Sequence, residues 1–449
     1  VPYDTVINTN NDGCGSLRDV VSRVADGDTV YFDPALIAGG SDTITLTSGI
    51  DFNKGLTFKG LYNATDTLYI SGNNTNRIFY ANLSSATVKN ITMDSMVFID
   101  GSISGNGGAL AFDYVDTLFF TNGAVMNSQA TDYGAGIYFA NGNAVEIDNT
   151  SIKNNTASSN GGGIYSFSNT TSITVNNSTI SSNSASSDGG GIFSLTFSAT
   201  SVMVINSTIS GNLANSYGGG IYSAASLLST SSSSVTVSNS TISGNLATND
   251  GGGIYSAAVA ASIVDISSSI VALNGSSNIY SYPGYSITSQ GYNIFSNASL
   301  TGTVATDQMG VDSASLNLQP LAFNGGTTQT MLPGAGSVAI NMGNPTDFSR
   351  AQNDTIYGGR RDVGAAESKC YSAVGSISPT ACNSYTSPSG NYVWTTSGTY
   401  ADTLVAGSSA GCDSAITINL TINTVPYDTV INTNNDGCGS LRDVVSRVA

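Results

Sequence analysis

The sequence contains no histidine, and only 10% of its 449 residues are charged. Lysine and arginine together number 13 against 30 aspartates and glutamates, which gives a formal net charge of −17. Because binding to nucleic-acid phosphates needs a basic surface, this balance excludes a nucleic-acid-binding role. Long apolar runs are also missing, since the longest, near residues 257–261, is far too short to cross a bilayer. We therefore predict no membrane span in this chain.

A pair of motifs is repeated in the middle of the chain, from about Asn149 to Asn274. The first motif is three glycines followed by Ile, then Tyr or Phe, then Ser, and it starts at Gly161, Gly189, Gly218 and Gly251. The second is Asn-Ser-Thr-Ile-Ser-x-Asn, and it starts at Asn177, Asn206 and Asn239. A nearly constant period of about 30 residues is typical of a solenoid, in which each repeat buries its apolar side against its neighbours.

The repeats have the composition of short strands and turns. Runs such as Ser172-Ile173-Thr174-Val175 alternate with clusters of Gly, Asn, Ser and Asp, and no segment has a helical apolar period. Two or three short strands per repeat predict one coil of a right-handed parallel β-helix, with coils about 4.8 Å apart. Weaker copies extend the pattern from Thr43 to Asn341, which predicts about 11 coils in a rod on the order of 50 Å long.

Asparagines recur three places after the isoleucines of the second motif. Stacked coils would place them in a ladder in which each side-chain amide bonds the coils above and below. We predict that this ladder is structural and binds no ligand; its members are Asn155, Asn183, Asn212 and Asn245.

The two ends of the chain have the same sequence, because 425–449 is identical to 1–25. We call these segments the first copy and the second copy. Their identity predicts a natural product that repeats the unit 1–424 in tandem, of which the chain is a fragment or mature segment. Within the first copy, Ser16 can cap a short helix whose Leu17, Val20, Val21 and Val24 share one face. Such a helix would cover the open edge of the first coil, which could otherwise pair with other chains.

Several of these motifs resemble known surface proteins. The segment from Gly13 to Val20, with 27–32 after it, resembles the "CSLR" cap of bacterial surface β-helix proteins, and the repeats resemble the "GGAI" and "FxxN" motifs of polymorphic outer-membrane proteins, here GGGI and IxxN. Residues 337–343 and 361–367 resemble the closing coils of the same family. The resemblance covers about residues 1–368. It implies a cap with first strands at 1–42, a β-helix at 43–368 and an extracellular location at the cell surface.

From about Lys369 the composition changes. Residues 382–422, with Trp394 among them, are similar to the small β-sandwich repeats of giant adhesins in Bacteroidota, including those of gliding motility. This implies an Ig-like β-sandwich at 369–424, before the next unit begins at 425–449. Because so small a module has a thin core, we expect a disulfide between Cys382 and Cys412 near Trp394. We further hypothesise that Cys370 pairs with Cys438 across the joint; the alternative is that Cys14 and Cys370 are buried free thiols.

Polysaccharide lyases and hydrolases often have β-helix folds, so an enzyme must be considered. A lyase needs basic residues, yet Lys153 is the only cation between Lys89 and Arg350. A hydrolase needs two carboxylates about 5 to 10 Å apart, for which Asp94, Asp100, Asp113, Asp116, Asp132 and Asp148 are candidates. Most of them stand at turns or strand starts, where aspartate is common without catalysis. We predict no enzyme, no cofactor and no metal site.

Eleven aspartates are followed by Ser or Thr and then by an apolar residue, where average composition would give about three. One explanation is that Asp-Thr often opens a strand. The other is that the triplets resemble the O-glycosylation sites of Bacteroidota, in which the hydroxyl carries the glycan and the glycan shields the rod. The candidate hydroxyls are Thr5, Thr29, Thr43, Thr67, Ser95, Thr117, Ser313, Thr355, Thr403, Ser414 and Thr429.

Taken together, the sequence predicts an all-β chain: a right-handed parallel β-helix with an N-terminal helical cap, followed by an Ig-like β-sandwich. We predict that it is the repeat unit of an extracellular filament or giant adhesin. Its expected partners are neighbouring identical units and surface glycans. The alternative is a carbohydrate-active β-helix, either a polysaccharide hydrolase or a tailspike-like protein. Carboxylates converging in a groove with at least one cation would favour that alternative.

Overall fold

The computed structural model describes residues 3–62, 65–83, 89–226, 230–282, 287–347, 349–353, 360–368, 373–404, 414–425 and 429–448. Most of the described strands belong to a parallel β-solenoid whose strands stack in four ladders, so the predicted all-β class and parallel coil are confirmed. The ladders are named here in the order in which the chain passes through them from the glycine motif onward.

Ladders one and two form a single bent sheet, because two long strands run through both. Ladder one contains Ile50–Phe52, Phe79–Asn82, Leu110–Asp113, Ile137–Ala140, the first parts of Ile164–Asn176 and Ile192–Ile205, Ile221–Ala225, Ile254–Ala258 and Ile279–Tyr282. Ladder two contains Thr5–Val6, Thr29–Phe32, Thr57–Lys59, Ile91–Asp94, Thr117–Thr121, Ala144–Asp148, the second parts of the two long strands, Ser232–Ser238, Ala261–Ser267 and Ile287–Gly291.

The other two ladders close each coil. Ladder three has ten strands among the described residues: Asp42–Thr45, Leu68–Ser71, Val97–Ile99, Ala124–Met126, Ser151–Lys153, Thr179–Ser181, Thr208–Ser210, Thr241–Ser243, Ile270–Ala272 and Ile294–Phe295. Ladder four has short strands at Ser102–Ile103, Gln129–Ala130, Thr156–Ala157, Ser184–Ala185, Leu213–Ala214 and Leu246–Ala247.

The core is a column of apolar side chains that alternate inward along every strand. The isoleucine after each glycine motif pairs in register with the next, as Ile164 does with Ile192 and Ile192 with Ile221, and all are fully buried. Toward the N-terminus the column widens into phenylalanines, with Phe79 in edge contact with Phe98 at 5.4 Å between ring centroids. This burial, repeated on every coil, stabilises the solenoid.

A helix, Leu17–Arg23, covers the first coil as the sequence predicts. The hydroxyl of its N-cap, Ser16, accepts a hydrogen bond from the Asp19 amide, and Leu17, Val20 and Val21 are buried. Lys54 donates to the carbonyls of Val21, Ser22 and Val24 at the C-terminal end, where a cation also favours the helix dipole. A 3₁₀ helix, Pro34–Ile37, follows the next strand.

Beyond Phe295 the chain adds no further strand to the four ladders in the residues described. The sequence predicts coils as far as residue 368, but a segment containing the short helix Ser313–Leu316 instead runs back along the outside of ladder three. We call residues 313–347, 349–353 and 360–368 the closing segment. The Thr179 hydroxyl donates to the Gln329 carbonyl at 2.5 Å, and the Ala365 amide donates to the Thr241 hydroxyl at 3.1 Å. The small hydroxyl side chains that ladder three presents outward are the reason why this chain can approach so closely.

The C-terminal part has a small β region, whose described strands are Ala373–Ile377, Thr380–Cys382, Tyr385–Thr386, Val393–Trp394, Gly398–Leu404 and Ser414–Asn423. The last is central, since it pairs antiparallel with Gly398–Leu404 and parallel with the first two strands. The Trp394 ring stacks on Tyr400 at 4.4 Å between centroids. The helix Leu441–Val448 ends the described chain. No helix among the described residues is long and apolar enough to cross a membrane.

Candidate functional site

The structure contains the asparagine ladder. The Asn155 amide nitrogen donates to Asn183 Oδ1 at 2.9 Å, and the same bond joins Asn183 to Asn212 and Asn212 to Asn245. Each Nδ2 also donates to a backbone carbonyl of the preceding coil, while each Oδ1 accepts from a backbone amide. Because the amides are buried and bonded on both sides, they have a structural role. The ladder continues through Asn274 and Asn278, which lie beyond the last complete Asn-Ser-Thr-Ile motif.

Two further ladders were not predicted. Serines of the Asn-Ser-Thr-Ile motif stack, so that the Ser178 amide donates to the Ser207 hydroxyl at 3.0 Å and the Ser207 amide to the Ser240 hydroxyl at 3.1 Å. Aromatic rings after the glycine motif also stack, with Tyr165 and Phe193 at 5.0 Å between centroids and 3° between planes. Burial raises the pKa of Tyr255, a later member of the stack, to about 12. The recurring Tyr or Phe was the available signal for this stack.

The eleven Asp-Ser/Thr triplets differ widely in exposure. Ser313, Thr403 and Thr429 are exposed, Thr5, Thr29, Thr43, Ser95 and Thr117 are partly buried, and Thr67 is only 7% exposed. Thr355 and the side chain of Ser414 lie outside the described residues. Strands begin at the hydroxyl residue in Thr5–Val6, Thr29–Phe32, Thr117–Thr121 and Ser414–Asn423, as the strand-opening explanation expects. Glycosylation at these positions stays a prediction.

The structure corrects both predicted disulfide pairings. Cys382 is bonded to Cys438, with 5.3 Å between their Cα atoms, so neither a Cys382–Cys412 nor a Cys370–Cys438 bond can coexist with it. Cys370 and Cys412 lie outside the described residues. The physical reason is proximity: the strand Thr380–Cys382 leads directly to the joint with the second copy, where Asn383 bonds the Val425 backbone through both its amide atoms. Cys14, the counterpart of Cys438 in the first copy, is an exposed free thiol.

The first and second copies have the same local fold. In both, the Ser hydroxyl caps the helix at 3.2 Å, and the glycine amide before it donates to the helix aspartate, Asp19 or Asp443. Their burial differs. Val6, Leu17 and Val21 are 0%, 0% and 2% exposed, whereas their counterparts Val430, Leu441 and Val445 are 43%, 65% and 54% exposed. The second copy therefore exposes most of the apolar face with which the first copy covers a coil, although Val444, the counterpart of Val20, stays 5% exposed.

A cleft of about 730 Å³ lies where the closing segment meets the N-terminal half of ladder three. Its lining combines aromatic rings with hydroxyls and amides: Ser41, Tyr62, Thr65, Thr67, Tyr69, Ser95, Asn122, Asn149, Phe323, Gly325, Gly326 and Thr327. A second cavity of about 370 Å³ shares Asn122, Asn149 and the glycine loop, and it adds Asp148 and Arg350. Together they form a groove along several coils.

The carboxylates near the groove are held by neighbouring side chains. Asp148 accepts from the amides of Asn176 and Asn177 at 2.8 and 3.2 Å. Asp94 pairs with Lys59 at 2.8 Å and accepts from Asn122 at 2.8 Å. Burial alone would raise the pKa of Asp94, but these bonds outweigh it and leave the pKa below its usual value.

A buried charge cluster fixes the end of the closing segment. Arg361 is 3% exposed, and its Nη2 donates to Asn206 Oδ1 at 2.9 Å, which ties the segment to a coil. Its Nε lies 3.6 Å from Glu367 Oε1. Burial and the charge of Asp362 raise the pKa of Glu367 to about 8. Arg361 and Glu367 form an ion pair within the chain, and Arg361 is bonded to the coil through Nη2, which indicates a structural role for this motif.

Comparison with known families gives a match within the solenoid. Residues 149–166, 177–195 and 239–257 match the repeat of the Chlamydia polymorphic membrane proteins. The matched segments contain three of the four GGGI motifs, and in the structure they lie on consecutive or nearby coils of the solenoid. The chain thus has a parallel β-helix similar to that repeat family. No curated protein and no solved structure matches the chain.

Proposed function

We propose that the chain is one unit of an adhesive, tandemly repeated fibre at the cell surface. The similarity to repeats of Chlamydia polymorphic membrane proteins supports a surface location. The proposal rests mainly on the second copy. It is already folded as a cap and buries Val444, yet it exposes Val430, Leu441 and Val445, whose counterparts the first copy buries. The coil of a following unit would cover that face.

The joint between units is covalent as well as apolar. The Cys382–Cys438 bond connects the small β region of one unit to the cap of the next. On this proposal, Cys14 of every internal unit is bonded to Cys382 of the unit before it. A disulfide requires oxidising conditions, as outside the cell, which agrees with a surface location.

Hydrogen exchange tests the joint. We expect the amides of Leu441–Val448 to exchange quickly in the 449-residue chain, because Leu441 and Val445 on the apolar face of that helix are exposed. In a chain extended by one further unit, the same amides should slow to the rate of Leu17–Arg23, which serves as the internal control. Unchanged fast exchange in the extended chain would contradict the proposal.

The second candidate is a polysaccharide hydrolase, which the presence of Asp148 and Arg350 in one groove favours. Inverting and retaining glycosidases need one acid and one further carboxylate at a defined separation. Against this, Asp148 and Asp94 are both engaged by side chains of neighbouring turns. A reducing-end assay on a panel of polysaccharides separates the two functions, since a structural fibre unit releases no ends and a hydrolase loses its activity on Asp148→Asn substitution.

A further inference from the structure

One exposed aromatic side chain stands on a backbone that is firmly held. Phe323 is 64% exposed and begins the loop of a hairpin in the closing segment. The hairpin is closed by Ala322 and Thr330, whose backbones exchange hydrogen bonds of 3.1 and 2.8 Å. The Asn324 amide donates to the Thr330 carbonyl at 2.8 Å and so braces the turn from within. A large apolar ring that is kept in water on a braced hairpin is suited to contact a ligand.

The hairpin is also attached to the coils. Thr327 donates to Asn149 Oδ1, and the Thr328 hydroxyl donates to the Asn177 carbonyl at 2.9 Å. Gly326 sits so close to the Gln352 carbonyl that a Cβ at this position would lie 2.4 Å from it. These contacts fix the backbone of Phe323 at the edge of the cleft, so that little backbone entropy would be lost on binding.

The cleft faces the ring with polar, uncharged groups. Ser95, Asn122 and Asn149 stand on successive coils, so the floor offers a hydroxyl or an amide about every 4.8 Å. The Asn149 amide donates to Asn122 Oδ1 at 2.7 Å, which orients the two side chains as a pair. Tyr62 and Tyr69 form the wall, and the bridge between Tyr62 and Thr67 keeps Tyr62 in place.

The chemistry of the cleft defines its ligand. No charged side chain is among the described residues that line the larger cavity, although the chain carries a net charge of −17. The aromatic rings can stack on the apolar faces of a ligand, and the amides and hydroxyls can donate to and accept from its hydroxyl groups. The lining therefore matches a ligand that has both apolar faces and many hydroxyls. We infer that the cleft binds a neutral oligosaccharide, whose sugar rings stack on Phe323 and the tyrosines and whose hydroxyls bond the asparagines. This inference deepens the adhesive part of the proposed function and rests on it.

The test is a binding titration of the 449-residue chain with neutral hexasaccharides: cellohexaose, maltohexaose and N-acetylchitohexaose. We expect at least one to bind, and Phe323→Ser to weaken it roughly tenfold or more, as for an anchor residue of an interface. Tyr282→Ser is the matched control, because Tyr282 is 58% exposed but lies on ladder one, away from the cleft. It should leave the affinity unchanged.

Three results would overturn the inference: no hexasaccharide binds, the Phe323→Ser variant binds as well as the parent, or Tyr282→Ser weakens binding equally. Mass spectrometry of the natural protein adds a fourth, since a glycan attached to Ser95 or Thr67 would fill the cleft from within. Phe323 is exposed, so its substitution should not unfold the chain. The hydrogen-exchange test of the joint involves other residues, and its outcome is therefore separate from this one.

Discussion

The first and second copies have one sequence and one local fold, but only the first has a coil to cover among the described residues. Both form the same turn, N-cap and helix, with matching hydrogen bonds at Ser16 and Ser440. The first copy alone has Lys54 at its helix end and its leucine in the core. The turn and cap residues are therefore sufficient for the local fold of both copies. The burial of the apolar side chains depends in addition on the coil beneath.

The largest expected effect on the free energy of unfolding is at the helix leucine, whose exposure differs most between the copies: Leu17 is buried and Leu441 is exposed. Leu17→Ala should lower the free energy of unfolding by about 2–5 kcal/mol, because it leaves a cavity in the core. Leu441→Ala should change it by less than about 0.5 kcal/mol, because that side chain is 65% exposed. Urea denaturation of the two variants measures both, and each serves as the control for the other. Equal losses would mean that the second copy is buried in the folded chain.

The cysteines of the two copies also differ, but here the second copy has the additional contact: Cys438 is bonded to Cys382, whereas Cys14 is a free thiol. Cys438→Ser removes the bond to Cys382, which closes a sequence separation of 56, and should destabilise the small β region by about 2–4 kcal/mol. Cys14→Ser removes an exposed thiol and should have no measurable effect. Trp394, the single tryptophan, lies in that region and reports its unfolding by fluorescence. Similar losses in both variants would show that Cys14 has a partner in the folded chain.

Much of the solenoid was predictable because its signals repeat. The GGGI and Asn-Ser-Thr-Ile motifs recur at nearly constant spacing, and stacking then follows from strand geometry, including the ladder from Asn155 to Asn245. The same periodicity accounts for the burial of the motif isoleucines on every coil. In a solenoid, residues that recur with the period occupy equivalent positions on successive coils, so a prediction for one of them applies to all.

The closing segment and the cleft were not predictable in the same way. Thr179 and Thr241 are buried beneath residues far away in sequence, and no periodic signal links them to the carbonyl and amide that they bond. Phe323 occurs once, in a hairpin whose position depends on contacts with the coils. The disulfide prediction was wrong for a related reason: the thin core expected of one small module favoured a bond within that module, Cys382–Cys412, whereas the partner of Cys382 lies in the following copy. Non-periodic long-range contacts leave little trace in a single sequence.

The smallest expected effect on stability comes from the N-cap serine, which both copies have. Ser16→Ala and Ser440→Ala each remove an N-cap hydroxyl that accepts from an aspartate amide at 3.2 Å, and each should cost its helix about 1 kcal/mol. The loss should be the same in both copies, because the capping bond is local and does not depend on the coil beneath. Amide hydrogen exchange measures each loss separately if it is followed at low pH, where intrinsic exchange is slow enough to resolve the quickly exchanging amides of Leu441–Val448 as well as those of Leu17–Arg23; the unaltered copy in the same chain is the control. A clearly larger loss at Ser16 than at Ser440 would mean that the coil also helps to fix the capping turn, so that the repeated sequence alone would no longer determine the local fold.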